Sequence, residues 1–164
     1  MLKTAYLSLG SNLGDRAANL RIAIEKLATV GEVKKVSHFY ETEPVEFTRQ
    51  PWFVNCAVIL ETEKMPRQLL RSLLAIERSL GRRRQQTAPK GPRIIDIDIL
   101  LMGKVVMETA ELTLPHPALH QRRFVLVPLA EIAPDAIHPV LKRNMRELLA
   151  SLHAASGTVR LMKP

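Results

Sequence analysis

The stretch Gly91-Pro92-Arg93-Ile94-Ile95-Asp96-Ile97-Asp98-Ile99-Leu100 constrains the fold of this chain more than any other. It has the alternation of a buried β-strand, with two carboxylates where that pattern calls for apolar side chains. On a regular strand Ile95, Ile97, Ile99 and Leu101 share one face, and Ile94, Asp96, Asp98 and Leu100 share the other. The Asp96 and Asp98 backbones then sit roughly 6.5–7 Å apart, two steps of about 3.3 Å each. Like charges on a mostly buried strand are costly unless something cationic neutralises them. Carboxylates at this separation can converge on one metal ion, or on two ions about 3.5–4 Å apart. The plainer reading is a pair of salt bridges to nearby arginines. Metal binding is favoured because Gly-Pro-Arg and a run of basic residues lead into the acids.

That basic run is also where much of the chain's charge excess lies. The net charge is +8 and the pI about 10.1, a balance that favours anionic partners such as nucleotides, nucleic acid or acidic lipid. Arg78, Arg82, Arg83, Arg84, Lys90 and Arg93 fall in one short stretch, and Arg122 and Arg123 form a second cluster. Clusters beside acidic strand residues suit a polyphosphate–metal site better than a broad nucleic-acid surface, although a charge run is most often a solvated loop. The 164 residues suggest one domain, residues 1–164, with a real core. Cys56 is the only cysteine. It excludes an internal disulfide and, lying in an apolar run, reads as core, in keeping with a reducing compartment. No signal peptide or membrane-length apolar run is present, so a cytoplasmic protein is expected.

Along the chain, Ala5–Leu9 reads as a short buried strand ending in the turn Gly10-Ser11-Asn12-Leu13-Gly14-Asp15. Asp15 or Asn12 is placed to cap a helix with Leu20, Ala23, Ile24 and Leu27 inward and Gly31 as its stop. Residues 33–42 alternate as one strand, 43–51 form a loop, and 53–62 alternate again. In that last strand Phe53, Asn55, Ala57 and Ile59 oppose Val54, Cys56, Val58 and Leu60. Pro66 opens a second helix with Leu69, Leu70, Leu73, Leu74 and Leu80 inward, stopped by Gly81. Residues 81–90 form a basic loop, and the acidic strand follows. Gly103-Lys104 predicts a hairpin into 105–107. Residues 112–117 run into proline-rich turns, and 122–129 is a short apolar piece. Asn144 caps a final helix with Leu148, Leu149 and Leu152. The order β-α-β-β-α-β plus a C-terminal extension is the ferredoxin-like pattern of an α+β fold: an antiparallel sheet with helices packed on one face.

Neither Gly-x-x-x-x-Gly-Lys-Ser/Thr nor Gly-x-Gly-x-x-Gly occurs. A nucleotide must therefore be held by side chains, metal and loop backbone. The Gly10–Gly14 turn can aim amides at an anion or be simply a tight turn, the somewhat favoured reading. Glu77, Arg82 and Arg84 flank the end of the second helix, where the arginines can grip phosphates or decorate an exposed terminus. Asn55 shares its strand face with Phe53. It serves either a structural hydrogen bond or edge-on recognition of a heterocycle on which Phe53 stacks. His116 and His120 have a spacing seen in paired zinc ligands, but Pro115 and Pro117 argue against a helix there. A phosphate contact by His116, in the company of Arg122 and Thr113, is better supported.

Taken together these pieces resemble the 6-hydroxymethyl-7,8-dihydropterin pyrophosphokinase family of folate synthesis. The resemblance is carried, in order over roughly residues 5–135, by Gly10-Ser11-Asn12-Leu13-Gly14-Asp15, Glu41-Thr42-Glu43-Pro44-Val45, Phe53-Val54-Asn55, Glu77-Arg78 with Gly81-Arg82, the Gly91–Leu100 run, Leu114-Pro115-His116-Pro117, and Arg122-Arg123-Phe124-Val125-Leu126-Val127-Pro128-Leu129. It implies a ferredoxin-like α+β fold and transfer of pyrophosphate from ATP to the pterin's hydroxymethyl oxygen, with release of AMP. It further implies two Mg²⁺ ions on Asp96 and Asp98, with Arg82 and Arg93 as catalytic cations. Phe53 and Phe124 would sandwich the pterin, while Asn55 and the backbone of Thr42, Pro44 and Val45 read its polar edge. Glu77, Arg82, Arg84, Arg93, Ile99, Thr113, His116 and Arg122 would contact ATP. The basic loop 82–90 would close over the site. Glu46 stands where the family often has glycine, and Lys90 where some relatives carry an aromatic residue. The expected partners are the two small substrates, with no nucleic acid and no membrane, and the expected state is a monomer.

Two other functions fit parts of the pattern. A nucleotidyltransferase using the same Asp-x-Asp strand would release pyrophosphate instead of AMP. A basic RNA-binding module of ferredoxin-like fold would display aromatic residues on its sheet, but only 4% of this chain is aromatic and no strand carries two in that pattern.

Overall fold

Residues Lys3–Ser11 form β1, the strand on which the sheet is built; it pairs antiparallel with β4 (Phe53–Thr62) on one side and β5 (Asp96–Met102) on the other. The computed structural model describes residues 1–44, 49–81, 92–153 and 157–163. The far edge of β4 is shared by β2 (Glu32–Val36) and β3 (Tyr40–Thr42). A C-terminal strand, β8 (Val159–Leu161), adds outside β3, giving the order β5-β1-β4-β3-β8. The expected strand over 33–42 is thus two strands. At the break, Ser37 Oγ accepts the Ala57 N–H (2.8 Å) while Ser37 N–H donates to Ala57 O (2.9 Å). A side-chain hydroxyl has replaced a ladder carbonyl.

One face of the sheet carries Ala5, Leu7, Leu9, Val54, Cys56, Val58, Leu60, Ile95, Ile97 and Ile99. These pack against Leu20, Ala23 and Leu27 of α1 (Arg16–Leu27) and Leu69, Leu73 and Ile76 of α2 (Pro66–Ser79). Asp15 caps α1, its carboxylate accepting the Ala18 N–H at 3.1 Å. Leu74, expected inward, is only partly buried, and Ile76 takes the inward place instead. Gly81 follows α2 with φ +95°, the left-handed conformation that ends helices.

The other face is covered as well, which corrects the expectation of helices on one side only. Residues 123–132, read from sequence as a short apolar piece, form α3 (Arg123–Ile132) in spite of the internal Pro128. With α4 (Met145–Ala150), α3 seals a second cluster containing Ala57, Leu100 and Leu101. Asn144 and Glu147 form a reciprocal capping box at the start of α4, as the Asn144 prediction required. The predicted hairpin out of β5 does not form. Met107–Glu108 (β6) pairs instead with Thr113–Leu114 (β7) in a separate ribbon.

The register of β5 on β1 slips between Tyr6 and Leu7, so that Tyr6 opposes Leu101 and Leu7 opposes Ile99. Leu100 is the extra residue of a bulge. Leu101 therefore leaves the face of Ile97 and Ile99, where regular alternation put it, and Leu100 and Leu101 both join the α3 cluster.

Candidate active site

Directly opposed residues of an antiparallel pair share a face, so the pairings define a continuous polar row on the α3 side of the sheet. Asp96 opposes Gly10, Gly10 opposes Asn55, and Asn55 opposes Tyr40. In the adjoining rows Asp98 opposes Ser8, and Phe53 opposes Thr42. Helix α3 covers the leucine end of this face and meets the row at Tyr40, whose hydroxyl donates to Glu131 Oε1 at 2.6 Å. The acid end carries no described helix above it, and Asp96, Asp98 and Phe53 are part-exposed there. Two strand spacings separate Asp96 from Asn55, about 10 Å.

Gly10 lies between them. A Cβ at this position would stand 2.6 Å from Asn55 Nδ2 and 3.5 Å from Phe53 Cδ1. Its absence lets the buried Asn55 amide lie flat across β1, where Nδ2 faces Leu9 O at 3.4 Å. On the other side Thr42 Oγ1 donates to Asn55 Oδ1 at 2.5 Å. The amide is thus oriented from both ends. It keeps one N–H and one lone pair for another group, the complement of a heterocyclic amide edge.

Arg93 reaches Asp96 with Nη1···Oδ2 at 3.0 Å, both side chains being about one-fifth exposed (18% and 19%). Its Nε is buried and has no hydrogen-bond partner among the described residues. The guanidinium therefore holds one acid while retaining a donor for an anionic ligand. His116 follows β7, and its N–H donates to Leu100 O of β5 at 2.9 Å. His116 Nδ1 accepts the Ala118 N–H at 3.1 Å, which assigns the proton of the neutral ring to Nε2. Burial, and next the charge of Arg122, hold this imidazole below the usual histidine range against the opposing pull of Asp96. Arg122 itself lies 5.6 Å from the ring centroid of Phe124, which packs on the α3 cluster on the same side of the sheet as Phe53.

Glu77 is fully buried at the end of α2, and its carboxylate accepts the Ile97 N–H at 2.7 Å, on the peptide between the two aspartates. Ile99 has its side chain in the main core, on the face away from the acids. Only its backbone, on the outermost strand, is on offer to a ligand. Thr113 is part-exposed on β7 and Pro44 is buried. Val45, Glu46, Arg82, Arg84 and Lys90 lie outside the described residues.

Sequence reasoning missed the role of Asn12. The Gly10–Gly14 turn is tied by its own and neighbouring groups: Asn19 Nδ2 donates to Leu13 O (2.8 Å) and to Ser11 Oγ (3.1 Å). The buried Asn12 side chain donates to Gln50 Oε1 (2.8 Å) and Pro51 O (3.1 Å) and accepts the Arg93 N–H (2.6 Å), while its N–H donates to Arg93 O (2.9 Å). This is the tight-turn reading, and one side chain joins three segments of the site.

Among the described residues no group of three or more His, Cys, Asp or Glu is arranged to hold a metal, so the His116/His120 pair is not part of such a cluster. The two carboxylates form an oxygen donor set. It suits a hard divalent cation that brings its other ligands from water and substrate phosphates.

A family model described as 7,8-dihydro-6-hydroxymethylpterin-pyrophosphokinase (HPPK) matches residues 6–134, which include every one of these groups. The chain belongs to the HPPK family. Among relatives, a 2-amino-4-hydroxy-6-hydroxymethyldihydropteridine pyrophosphokinase of Methylorubrum extorquens is 46% identical over 150 residues, 90% of this chain and 92% of that one. The enzyme of the same name from Aquifex aeolicus is 40% identical over 146 residues, 89% and 90% of the two chains. The folic acid synthesis protein fol1 of Schizosaccharomyces pombe is 41% identical, but this chain spans only 20% of its length. A Plasmodium falciparum HPPK-DHPS structure superposes with TM-score 0.71 at 17% identity over 92% of this chain and 45% of that one, which shows the shared fold.

Both His116 and His138 have lowered pKa values, His138 by burial and then by His120. Below the ordinary value of about 6.5 the unfolded chain takes up protons at these rings before the folded one does. Stability is therefore full above pH 6.5 and falls as the pH drops below it. Urea midpoints measured from pH 7.5 to 5.5 are expected to decline across that window and to decline less in His138→Gln. A flat profile would show that both rings protonate freely in the fold.

Proposed function

We propose that the acid face is where this chain transfers pyrophosphate from ATP to the hydroxymethyl oxygen of 6-hydroxymethyl-7,8-dihydropterin, releasing AMP. Membership of the HPPK family makes the chain a transferase of folate synthesis acting on that pterin. The observation that carries the assignment to this face is the row Asp96–Gly10–Asn55. It sets a cation-binding end about 10 Å from an oriented amide, which leaves room for a phosphate chain at one end and a flat ring at the other.

The pterin would lie between Phe53 and Phe124, its amide edge on Asn55 and the backbone of Thr42, Pro44 and Val45. In that position its exocyclic hydroxyl would point across β1 toward the acids. Transfer to such a hydroxyl depends mainly on alignment and on stabilising charge spread over the phosphate oxygens. Asp96 and Asp98 would hold Mg²⁺, two ions in our reading, which neutralises that charge when bound. Arg93, with its unpaired Nε, and Arg122 would contact phosphate oxygens as fixed cations, and His116 Nε2–H would add a neutral donor. Glu77 would act from beneath through the Ile97 peptide, Ile99 through its backbone, and Thr113 from the β7 ribbon. Arg82 and Arg84 keep the phosphate contacts that the family resemblance implies for them.

We further propose that residues 1–164 act as one monomeric domain in the cytoplasm, on small molecules and not on nucleic acid. In support, both apolar clusters are built on one sheet, and no described helix is long and apolar enough to cross a membrane.

The deciding experiment is chromatography of nucleotide products with ATP, Mg²⁺ and the pterin alcohol present or individually omitted. AMP is expected only when all three are present. Release of pyrophosphate would favour nucleotidyl transfer. Gly10→Ala probes the pterin end. Its Cβ would push the Asn55 amide out of place, and a loss of about tenfold in pterin affinity is expected from the broken hydrogen bonds. A pterin KM within twofold of the parent would show that Asn55 does not depend on that gap.

A further inference from the structure

We propose that the C-terminal strand β8 is a positioning strap for the pterin half of the site, and that Arg160 is the side chain through which it acts. The inference rests on the pterin assignment above and adds an element that makes no contact with the ring.

Strand β8 pairs with the strand that leads into the pterin-reading backbone: Tyr40 opposes Leu161, Glu41 opposes Arg160 and Thr42 opposes Val159. The pairing continues past the strand ends. Glu43 N–H donates to Thr158 O (3.0 Å), Thr158 N–H donates to Glu43 Oε1 (3.3 Å), and Met162 N–H donates to Phe39 O (2.9 Å). Without β8, β3 would be a three-residue edge strand held by β4 alone, and short edge strands fray. Thr42, whose hydroxyl orients Asn55, lies at its end.

Arg160 adds a second, independent tie. Its Nη2 reaches Glu41 Oε2 at 2.8 Å, and its guanidinium carbon lies 4.7 Å from the centroid of Trp52. Glu41 immediately precedes Thr42, and Trp52 immediately precedes Phe53. Since Thr42 and Phe53 are opposed on the substrate face, Glu41 and its partner Arg160 project from the reverse face. Arg16 holds the same tryptophan from its backbone, Nη1 donating to Trp52 O at 2.9 Å. One arginine thus clips together, from behind, the two residues that lead into the pterin contacts. The nucleotide end, four strands away on β5, has no such tie to β8 among the described residues.

The test compares the parent with Arg160→Ala and with a chain ending at Gly157, measuring KM for pterin and for ATP, kcat, and amide hydrogen exchange at Glu43. Thermal melts confirm that each variant is folded. The expected result is a rise in pterin KM of about fivefold in Arg160→Ala and more than about tenfold in the shortened chain, with ATP KM within twofold and faster exchange at Glu43. A pterin KM unchanged in both variants, or an ATP KM that rises in step with it, would overturn the strap while leaving the pterin assignment standing. A parent chain that makes no AMP from the pterin would instead overturn the assignment, and the strap with it.

Discussion

Asp96→Asn and Asp98→Asn chains are expected to fold as the parent does and to turn over about a thousandfold more slowly, or worse. Each substitution keeps the side chain's shape and one oxygen but removes the charge that lets a carboxylate hold a divalent cation. Both positions are part-exposed on the open end of the sheet, so neither change leaves a cavity, and at position 96 the amide oxygen can still accept from Arg93. Losing a single well-placed electrostatic contact in an active site costs about 10²–10³ in rate, and here the contact also carries the phosphate chain. Activity should recover partly at high Mg²⁺ in whichever variant retains the better residual site. Circular dichroism and urea midpoints close to the parent, with AMP formation nearly abolished, are the expected pair of readings. Near-normal turnover in both variants would end the metal assignment.

The second large effect concerns stability. Asn12→Ala removes a buried amide that holds Gln50, Pro51 and the Arg93 N–H together. Each buried polar group stripped of its partner costs about 1–3 kcal/mol. A loss of about 2–4 kcal/mol is expected, read as a lower urea midpoint at unchanged slope. Turnover should also fall, because Arg93 is set in place through its own backbone bonds to Asn12. A loss below about 1 kcal/mol would show that the three segments close without this side chain.

The parts of the fold written in local periodicity were legible in the sequence. β4 runs over the expected residues with the expected faces, α2 stops at Gly81, and Asp15 and Asn144 cap as expected, whereas α1 ends at Leu27, four residues short of the expected stop at Gly31. What was hidden depends on partners distant in the chain. Ser37 breaks a strand only because its hydroxyl meets Ala57. Helix α3 is masked because Arg123–Ile132 is nearly all apolar around a proline, which erases the helical period. β8 has no core pattern of its own and exists as the partner of β3. At the site the acids, Asn55 and Phe53 could be placed on their faces by counting in twos. The Arg93–Asp96 pair, three positions apart, is the salt bridge that the plainer reading of the acids allowed, but the Glu77 bond to Ile97 and the junction at Asn12 join residues 20 and 81 positions apart. No spacing rule covers them.

The slip at Leu100 has an evolutionary consequence. Upstream of it β5 turns acids toward the ligand side, and downstream it turns leucines toward that side to seat α3. Because the extra residue pairs with nothing, the acids on one side of it and Leu101 on the other keep their register and face, and a lineage can gain or lose a residue here to rework the seat of α3 without rotating the chemistry out of place. Deleting that single leucine would restore regular alternation with Leu101 still on the acid side, and would remove one of the two leucines of this strand that seat α3.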